Sequence, residues 1–245
     1  MHLVELRPAQ LEKAVKNNIP VVMVAGCVEY HGPHLPIGTD LLIGEAILTR
    51  VEKQIPEGCI VATPLPYAPT MNWAGSAAEG DMDFSPDTLH LYAREVFYRL
   101  TQMGFRRIYV LQHHQGAEGL PALSLKKAAA DVVRNVTKAW GAGWGRQNTA
   151  TLPVPGIFDL IKIAHADSFS DYTGLNGPMP VGHGGKGETQ LMLAGFPELV
   201  EINALDITTA PEWLKDAPEA AVLEGVQWLH FCVEGWVREL TGEKT

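Results

Sequence analysis

Ile19-Pro20-Val21-Val22-Met23-Val24-Ala25 is a continuous apolar run, and it leads straight into Gly26-Cys27-Val28-Glu29-Tyr30-His31-Gly32-Pro33-His34-Leu35-Pro36-Ile37-Gly38-Thr39-Asp40. An apolar run without polar alternation reads as a strand buried on both faces, the pattern of a parallel sheet. Past the loop, Leu41, Leu42, Ala46, Ile47, Leu48 and Val51 recur at helical spacing until Pro56-Glu57-Gly58 stops them, giving strand, loop, helix. The alternation continues on both sides. A short helix is expected over 8–17, and Cys59-Ile60-Val61-Ala62-Thr63 reads as a second strand. A Pro/Gly-rich loop over 64–84 follows, long enough to cover something. Ser85-Pro86-Asp87 caps a helix whose Leu89, Val96, Phe97 and Leu100 share a face and which Gly104 closes. Ile108-Tyr109-Val110-Leu111 is the third strand. Beyond it the pattern predicts a helix over 120–140, a strand over 149–154, an irregular stretch to 187, and helices over 188–194 and 219–240. The last carries Val222, Val226, Leu229, Val233, Trp236 and Val237 on one stripe.

Strands alternating with helices specify an α/β fold of three layers, α/β/α, around a mostly parallel central sheet, here as one domain over 1–245. Ligands of such sheets bind beyond the carboxyl ends of the strands, so the loops after Ala25, Thr63 and Leu111 are where chemistry is expected. With 245 residues, 46% apolar and 19% charged, the chain is of globular type and buries roughly 70–75% of its unfolded surface. Its core needs no staples, so a metal here would serve chemistry. A formal charge of −9 argues against nucleic acid and anionic membranes as partners. Cys27, Cys59 and Cys232 are widely spaced without a CxxC pair, which fits a reducing cytoplasm. No signal peptide or membrane span is expected, since no apolar run reaches about 18 residues.

Three clusters carry ligand chemistry. In the first, Glu29 and His31 point the same way if the segment is extended, and the glycines and prolines before Asp40 let the chain fold back beside them. Two carboxylates and an imidazole suit Zn²⁺, Mn²⁺ or Fe²⁺, although Asp40 read alone serves equally as a helix cap. The second is Gln112-His113-His114-Gln115-Gly116-Ala117-Glu118, just past a strand end. Adjacent side chains of an extended segment diverge, so one histidine at most is expected to reach a shared site. A surface histidine pair is the competing reading. The third is His183-Gly184-Gly185-Lys186-Gly187-Glu188-Thr189, where Glu188 also suits a helix dipole. A nucleophilic triad lacks its GxSxG elbow, and a dinucleotide site lacks GxGxxG.

On these segments the sequence resembles the creatininase (creatinine amidohydrolase) family. Glu29 to Asp40 matches that family's Glu-x-His-Gly-Pro-His-Leu-Pro-x-x-Thr-Asp segment without a gap, and His183 to Thr189 matches its His-Gly/Ala-Gly-x-x-Glu-Thr segment. Gln112 to Ala117 stands in place of Asn-Gly-His-Gly-Gly-Asn, which makes His114 the ligand and His113 a substitute for a glycine. The resemblance implies a three-layer hydrolase, commonly a hexamer, with two divalent ions sharing Asp40 and a metal-bridging hydroxide as nucleophile. Glu29 and His114 would complete one ion site and His31 would hold the other. Gly116 stands where some members carry a glutamate, so Glu188 is the candidate for the remaining carboxylate ligand or for a base. His183 would orient substrate or protonate the leaving group. Zinc heads the candidate metals, with manganese and iron behind it.

Creatininase places tryptophans over the creatinine ring, and by alignment Phe158 and Met179 stand there, which argues against creatinine. The loop 71–84 carries three acids, and its Trp73 is either a pocket wall or an interface residue. A formylated nucleotide, the substrate of some relatives, would need a phosphate site, and Arg106 and Arg107 precede the third strand, at the wrong edge. A small cyclic amide ranks first as substrate and a carbohydrate-like ring ketone or lactone second. A metal-holding scaffold without turnover is the non-catalytic alternative. Trp73 and Trp213, large side chains in irregular segments, point to a homo-oligomer.

Overall fold

The computed structural model describes residues 1–172 and 182–242. In chain order its principal elements are α1 (Pro8–Lys16), β1 (Val21–Ala25), α2 (Thr39–Gln54), β2 (Ile60–Val61), α3 (Pro86–Met103), β3 (Ile108–Gln112), α4 (Leu120–Lys138), β4 (Ile161–Ala164), α5 (Lys186–Gly195) and α6 (Val222–Thr241). The strands form one parallel sheet in the order β2-β1-β3-β4. Successive residues of β1 face opposite ways and therefore enter two cores. Val21, Met23 and Ala25 pack with side chains of α1, α3 and α4, including Phe97, Leu100 and Leu125. Val22 and Val24 pack with α2, α5 and α6, including Ile47, Met192 and Trp236. The three-layer α/β/α expectation is met.

The order of the strands positions the site. From β1 the chain passes through α2 on one face to β2, then through α3 on the other face to β3, on the far side of β1. The loops leaving β1 and β3 thus turn toward opposite faces and open a crevice between adjacent strands, the ligand position of open α/β sheets.

Two expectations are corrected. Residues 149–154 form no strand: a 3₁₀ turn at Thr149–Thr151 stands there, and the fourth strand is Ile161–Ala164. Pro153 and Pro155 cannot donate to a ladder and bar pairing. In α6 the buried face is Gly225, Leu229, Cys232, Val233, Gly235, Trp236 and Leu240, while Val222 and Val226 are exposed. The helix is rotated because it meets α5 closely, where a Cβ at Gly225 would collide with the carbonyl of Gln190. Glycine is the residue that permits this crossing.

The capping of α3 follows the sequence reading: Ser85 Oγ accepts from the Thr88 amide, Pro86 opens the helix and Gly104 ends it. No helix among the described residues is long and apolar enough to cross a membrane. Phe97 is fully buried at the centre of the first core. Phe97→Ala should therefore lower the unfolding free energy by about 3–5 kcal/mol, through lost transfer energy and the cavity left behind, as read from denaturant titration.

Candidate metal centre

The loop after β1 is folded by its own backbone. The Glu29 amide donates to the Ile37 carbonyl at 2.9 Å, and Thr39 Oγ1 donates to the Pro36 carbonyl at 2.7 Å. This brings Asp40, in the first turn of α2, back beside Glu29 and His31, and all three are buried. From the end of β3, His114 reaches the same point: its Nδ1 lies 2.9 Å from Glu29 Oε1 and 3.3 Å from Asp40 Oδ2. The third segment arrives from the start of α5. Glu188 Oε2 accepts the Gly184 amide at 2.6 Å and lies 3.6 Å from His31 Nε2. Gly184 has φ +63°, and a Cβ there would stand 2.5 Å from the His31 carbonyl oxygen, so the loop can press against the first segment only with glycine.

Each of three imidazoles is oriented by a backbone carbonyl. His31 Nδ1 donates to the Glu29 carbonyl at 3.1 Å, His114 Nε2 to the Pro69 carbonyl at 3.0 Å, and His183 Nε2 to the Tyr30 carbonyl at 2.6 Å. A carbonyl oxygen only accepts, so these nitrogens carry hydrogen, and the other nitrogen of each ring faces carboxylates. His31 Nε2 lies 3.5 Å from Asp40 Oδ2 and 3.8 Å from Glu29 Oε1, and His183 Nδ1 lies 3.5 Å from Glu29 Oε1. Buried His31 Nε2 and Glu29 Oε1 make no hydrogen bond. Carboxylate oxygens and ring nitrogens that lie 2.9–3.8 Å from one another are arranged as a set that could hold a cation, with the carbonyls as the outer partners that set each tautomer.

The electrostatics agree. Burial alone would lower the pKa of His31, but Asp40, Glu188 and Glu29 together raise it to about 10. His114 is likewise lowered by burial and raised by Asp40 and Glu29, to about 10. Burial opposes ionisation of Asp40, yet His31 and His114 hold it well below the usual carboxylate range. The cluster stabilises positive charge at these nitrogens, whether supplied by a proton or by a metal. The ligand atoms fall into sets within 4.8 Å of one another: Cys27, Glu29, Asp40 and His114; His31, Asp40 and Glu188; and Glu29, His31 and His183.

The expected segments therefore meet, with one correction. His113 also reaches the site: its Nε2 lies 3.4 Å from Glu188 Oε1, and both histidines line the cavity. The segment is not extended here, because the chain turns at 114–115 with Gln115 at φ +61°, so the divergence rule does not apply. Sequence reading also missed His165 and Asp167, which follow β4 into the cavity, and Cys27, whose Sγ lies 3.0 Å from Asp40 Oδ2. The i, i+2 rule that pairs Glu29 with His31 would have found Cys27. Burial, then Asp40 and Glu29, push its thiol pKa well up. Phe158 is not a wall residue: it precedes β4, at the opposite edge, and is 81% exposed. Met179 lies outside the described residues.

The cavity measures about 510 Å³ and is walled by Trp73, Met71 and Leu191 beside the titratable groups. Trp73 meets the rings of His183 at 5.4 Å and Trp213 at 5.7 Å. Two of the acids in loop 71–84 hold backbone rather than ligand. Asp81 Oδ1 accepts the Tyr30 amide and Asp83 Oδ1 accepts those of Thr70 and Met71. A larger cleft, about 750 Å³, lies at the amino-terminal edge of the sheet. Its Arg106 and Arg107 bond backbone carbonyls and its Lys162 pairs with Glu239. Among the described residues no ligand set falls in its lining, whereas Glu29, Asp40, His114, His183 and Glu188 all line the smaller cavity.

The two raised imidazoles give the metal-free protein a pH signature. Between about 6.5, the ordinary imidazole value, and about 10, the folded state holds more protons than the unfolded chain. Their contribution is complete below about pH 6.5 and is lost as pH rises to about 10. The Tm of chelator-treated protein should fall across that window, and a level Tm there would contradict the assignment.

Over residues 4–242 the chain matches the family Creatininase, described as creatinine amidohydrolase. It is similar to the creatinine amidohydrolase of Pseudomonas putida, 24% identical, with 88% of this chain and 86% of that protein covered. Among solved structures it resembles a creatinine amidohydrolase (creatininase) with TM-score 0.77 at 21% identity, covering 99% of this chain and 97% of that one. It also resembles one described as creatininase Mn, with TM-score 0.76 at 22% identity, covering 99% and 98%. A mutant creatininase of Zn-Zn type gives TM-score 0.75 at 23% identity, covering 99% and 97%.

Proposed function

The chain belongs to the creatininase family, and from that premise we propose that it is a metal-dependent amidohydrolase that opens a small cyclic amide in the cavity at the carboxyl edge of the sheet. The observation that carries this reading is the convergence of Glu29, Asp40 and Glu188 with ring nitrogens whose tautomers are set by backbone carbonyls. Glu29, Asp40 and His114 would hold one divalent ion, and His31, Asp40 and Glu188 would hold the other, Asp40 belonging to both sets. The relatives of Mn and Zn-Zn type support the choice of metals, and zinc best suits the mixed imidazole and carboxylate donors. When bound, such ions polarise a carbonyl and lower the pKa of coordinated water toward neutrality.

The protein's own groups do the rest. Trp73, beside His183 and Trp213, offers a flat face for a ring. His183 Nδ1, turned to the cluster while Nε2 is tied to Tyr30, takes the proton that the attacking water loses and delivers it to the leaving nitrogen as the C–N bond breaks. Glu188, anchored on the Gly184 amide, acts as a ligand rather than a free base.

Protein purified without chelator should contain about two divalent ions per chain, the binuclear stoichiometry, by elemental analysis. Asp40→Ala should lose both, and Glu188→Gln should lose metal as well as rate. His183→Ala should keep the metal and slow turnover by about 10²–10⁴-fold, measured on a panel of cyclic amides, lactones and ring ketones. Full metal content in Asp40→Ala would overturn the centre. Activity confined to lactones or ring ketones would overturn the substrate class, and metal without any turnover would favour a binding role.

Self-association, as the hexamer that the resemblance implies, is supported by Val222, Leu223 and Val226, which leave the first turns of α6 exposed and apolar. Of the two tryptophans expected to be exposed, Trp73 is, while Trp213 is half-buried against it. Sedimentation should give a mass several times that of one chain, and the mass of one chain would contradict this. Three buried free thiols support a reducing compartment.

A further inference from the structure

Cys27 stands inside the ligand cluster and has no part in the mechanism above. It is fully buried, its Sγ is 3.0 Å from Asp40 Oδ2, and it lies within 4.8 Å of ligand atoms of Glu29, Asp40 and His114. We infer that Cys27 is a thiolate ligand of the ion held by Glu29, Asp40 and His114, giving that site a four-donor set that prefers zinc to manganese. The inference rests on the metal-centre reading above.

Three observations carry it. The donor atoms number four, the complement that zinc takes in tetrahedral sites, with a sulfur bond of about 2.3 Å against about 2.0–2.2 Å for nitrogen and oxygen. In the same set, Glu29 Oε1 is buried and makes no hydrogen bond, and its nearest ring nitrogen is His114 Nδ1 at 2.9 Å, itself a donor atom of the set. The neighbouring set of His31, Asp40 and Glu188 contains no sulfur. The two halves of the centre thus differ in softness, and thiolate favours zinc where carboxylate alone admits manganese. As the sulfur–metal bond forms, the S–H proton leaves to solvent. The alternative is that the thiol merely donates to Asp40 and steers that carboxylate.

Cobalt(II) distinguishes the two. The full-length protein, stripped of metal and reloaded with cobalt(II), should show visible d–d bands together with a near-ultraviolet thiolate-to-cobalt charge-transfer band. Cys27→Ser and Cys27→Ala should lose the charge-transfer band and keep d–d bands. Cys59→Ala and Cys232→Ala, which belong to none of the ligand sets, should keep both. The wild-type spectrum is decisive even where a variant folds poorly: d–d bands without charge transfer overturn the thiolate ligand and leave the metal centre standing. Survival of the charge-transfer band in Cys27→Ala has the same meaning. Absence of any d–d band overturns the metal centre and the inference together. A zinc-over-manganese preference that falls in Cys27→Ala, read by competition and elemental analysis, supports the selectivity.

Discussion

Three carboxylates, Glu29, Asp40 and Glu188, are buried in one pocket, and the rest of the site is arranged around the need to offset that charge. A buried carboxylate is costly unless a cation and hydrogen bonds compensate it. Among the described residues no lysine or arginine pairs with any of the three; their ion-pair partners are imidazoles. An imidazole can carry a proton or yield its lone pair to a metal, so this choice of partner leaves the pocket able to exchange protons for metal ions. A guanidinium would have closed that option.

The backbone supplies the precision. Each imidazole is fixed by a carbonyl: His31 by Glu29 and His183 by Tyr30, neighbours in the loop after β1, and His114 by Pro69 in the loop after β2. The loop after β2 is in turn tied by Asp81 to the Tyr30 amide and by Asp83 to its own amides. Ring orientation, and so the direction of each free nitrogen, depends on segments far apart in the chain. Glycine at 184 lets one of these segments approach another at backbone contact distance. The same network that holds the ligands also positions Trp73 over the cavity.

The fold and the centre meet at the reversal of strand order. Because β2 and β3 lie on either side of β1, the loops of β1 and β3 part, and their parting brings Asp40 on α2 against His114 beyond β3. The opposite edge has the larger cleft and more cations, but those cations are spent on helix-end carbonyls and on Glu239. Volume alone does not mark a site. Convergence of unsatisfied ligand atoms does.

Local pattern in the chain determined the layers and the caps of α3, because strand and helix periodicity and turn chemistry act over a few residues, while residue type and the family resemblance singled out the segments that carry Glu29, His31, Asp40, His114, His183 and Glu188. The absence of a strand over 149–154 is legible too, since Pro153 within the stretch and Pro155 just beyond it cannot donate to a ladder. Tertiary structure alone decided which nitrogen of His114 and of His183 faces the carboxylates, since that depends on carbonyls 45 and 153 residues away. It also decided that His113 joins the site through a turn, that α6 is rotated by its crossing at Gly225, and that Phe158 lies at the far edge while His165 and Asp167 line the cavity. Periodicity assigns a face to a residue, whereas distance to a partner in another segment is set only when the packed layers bring the loops together.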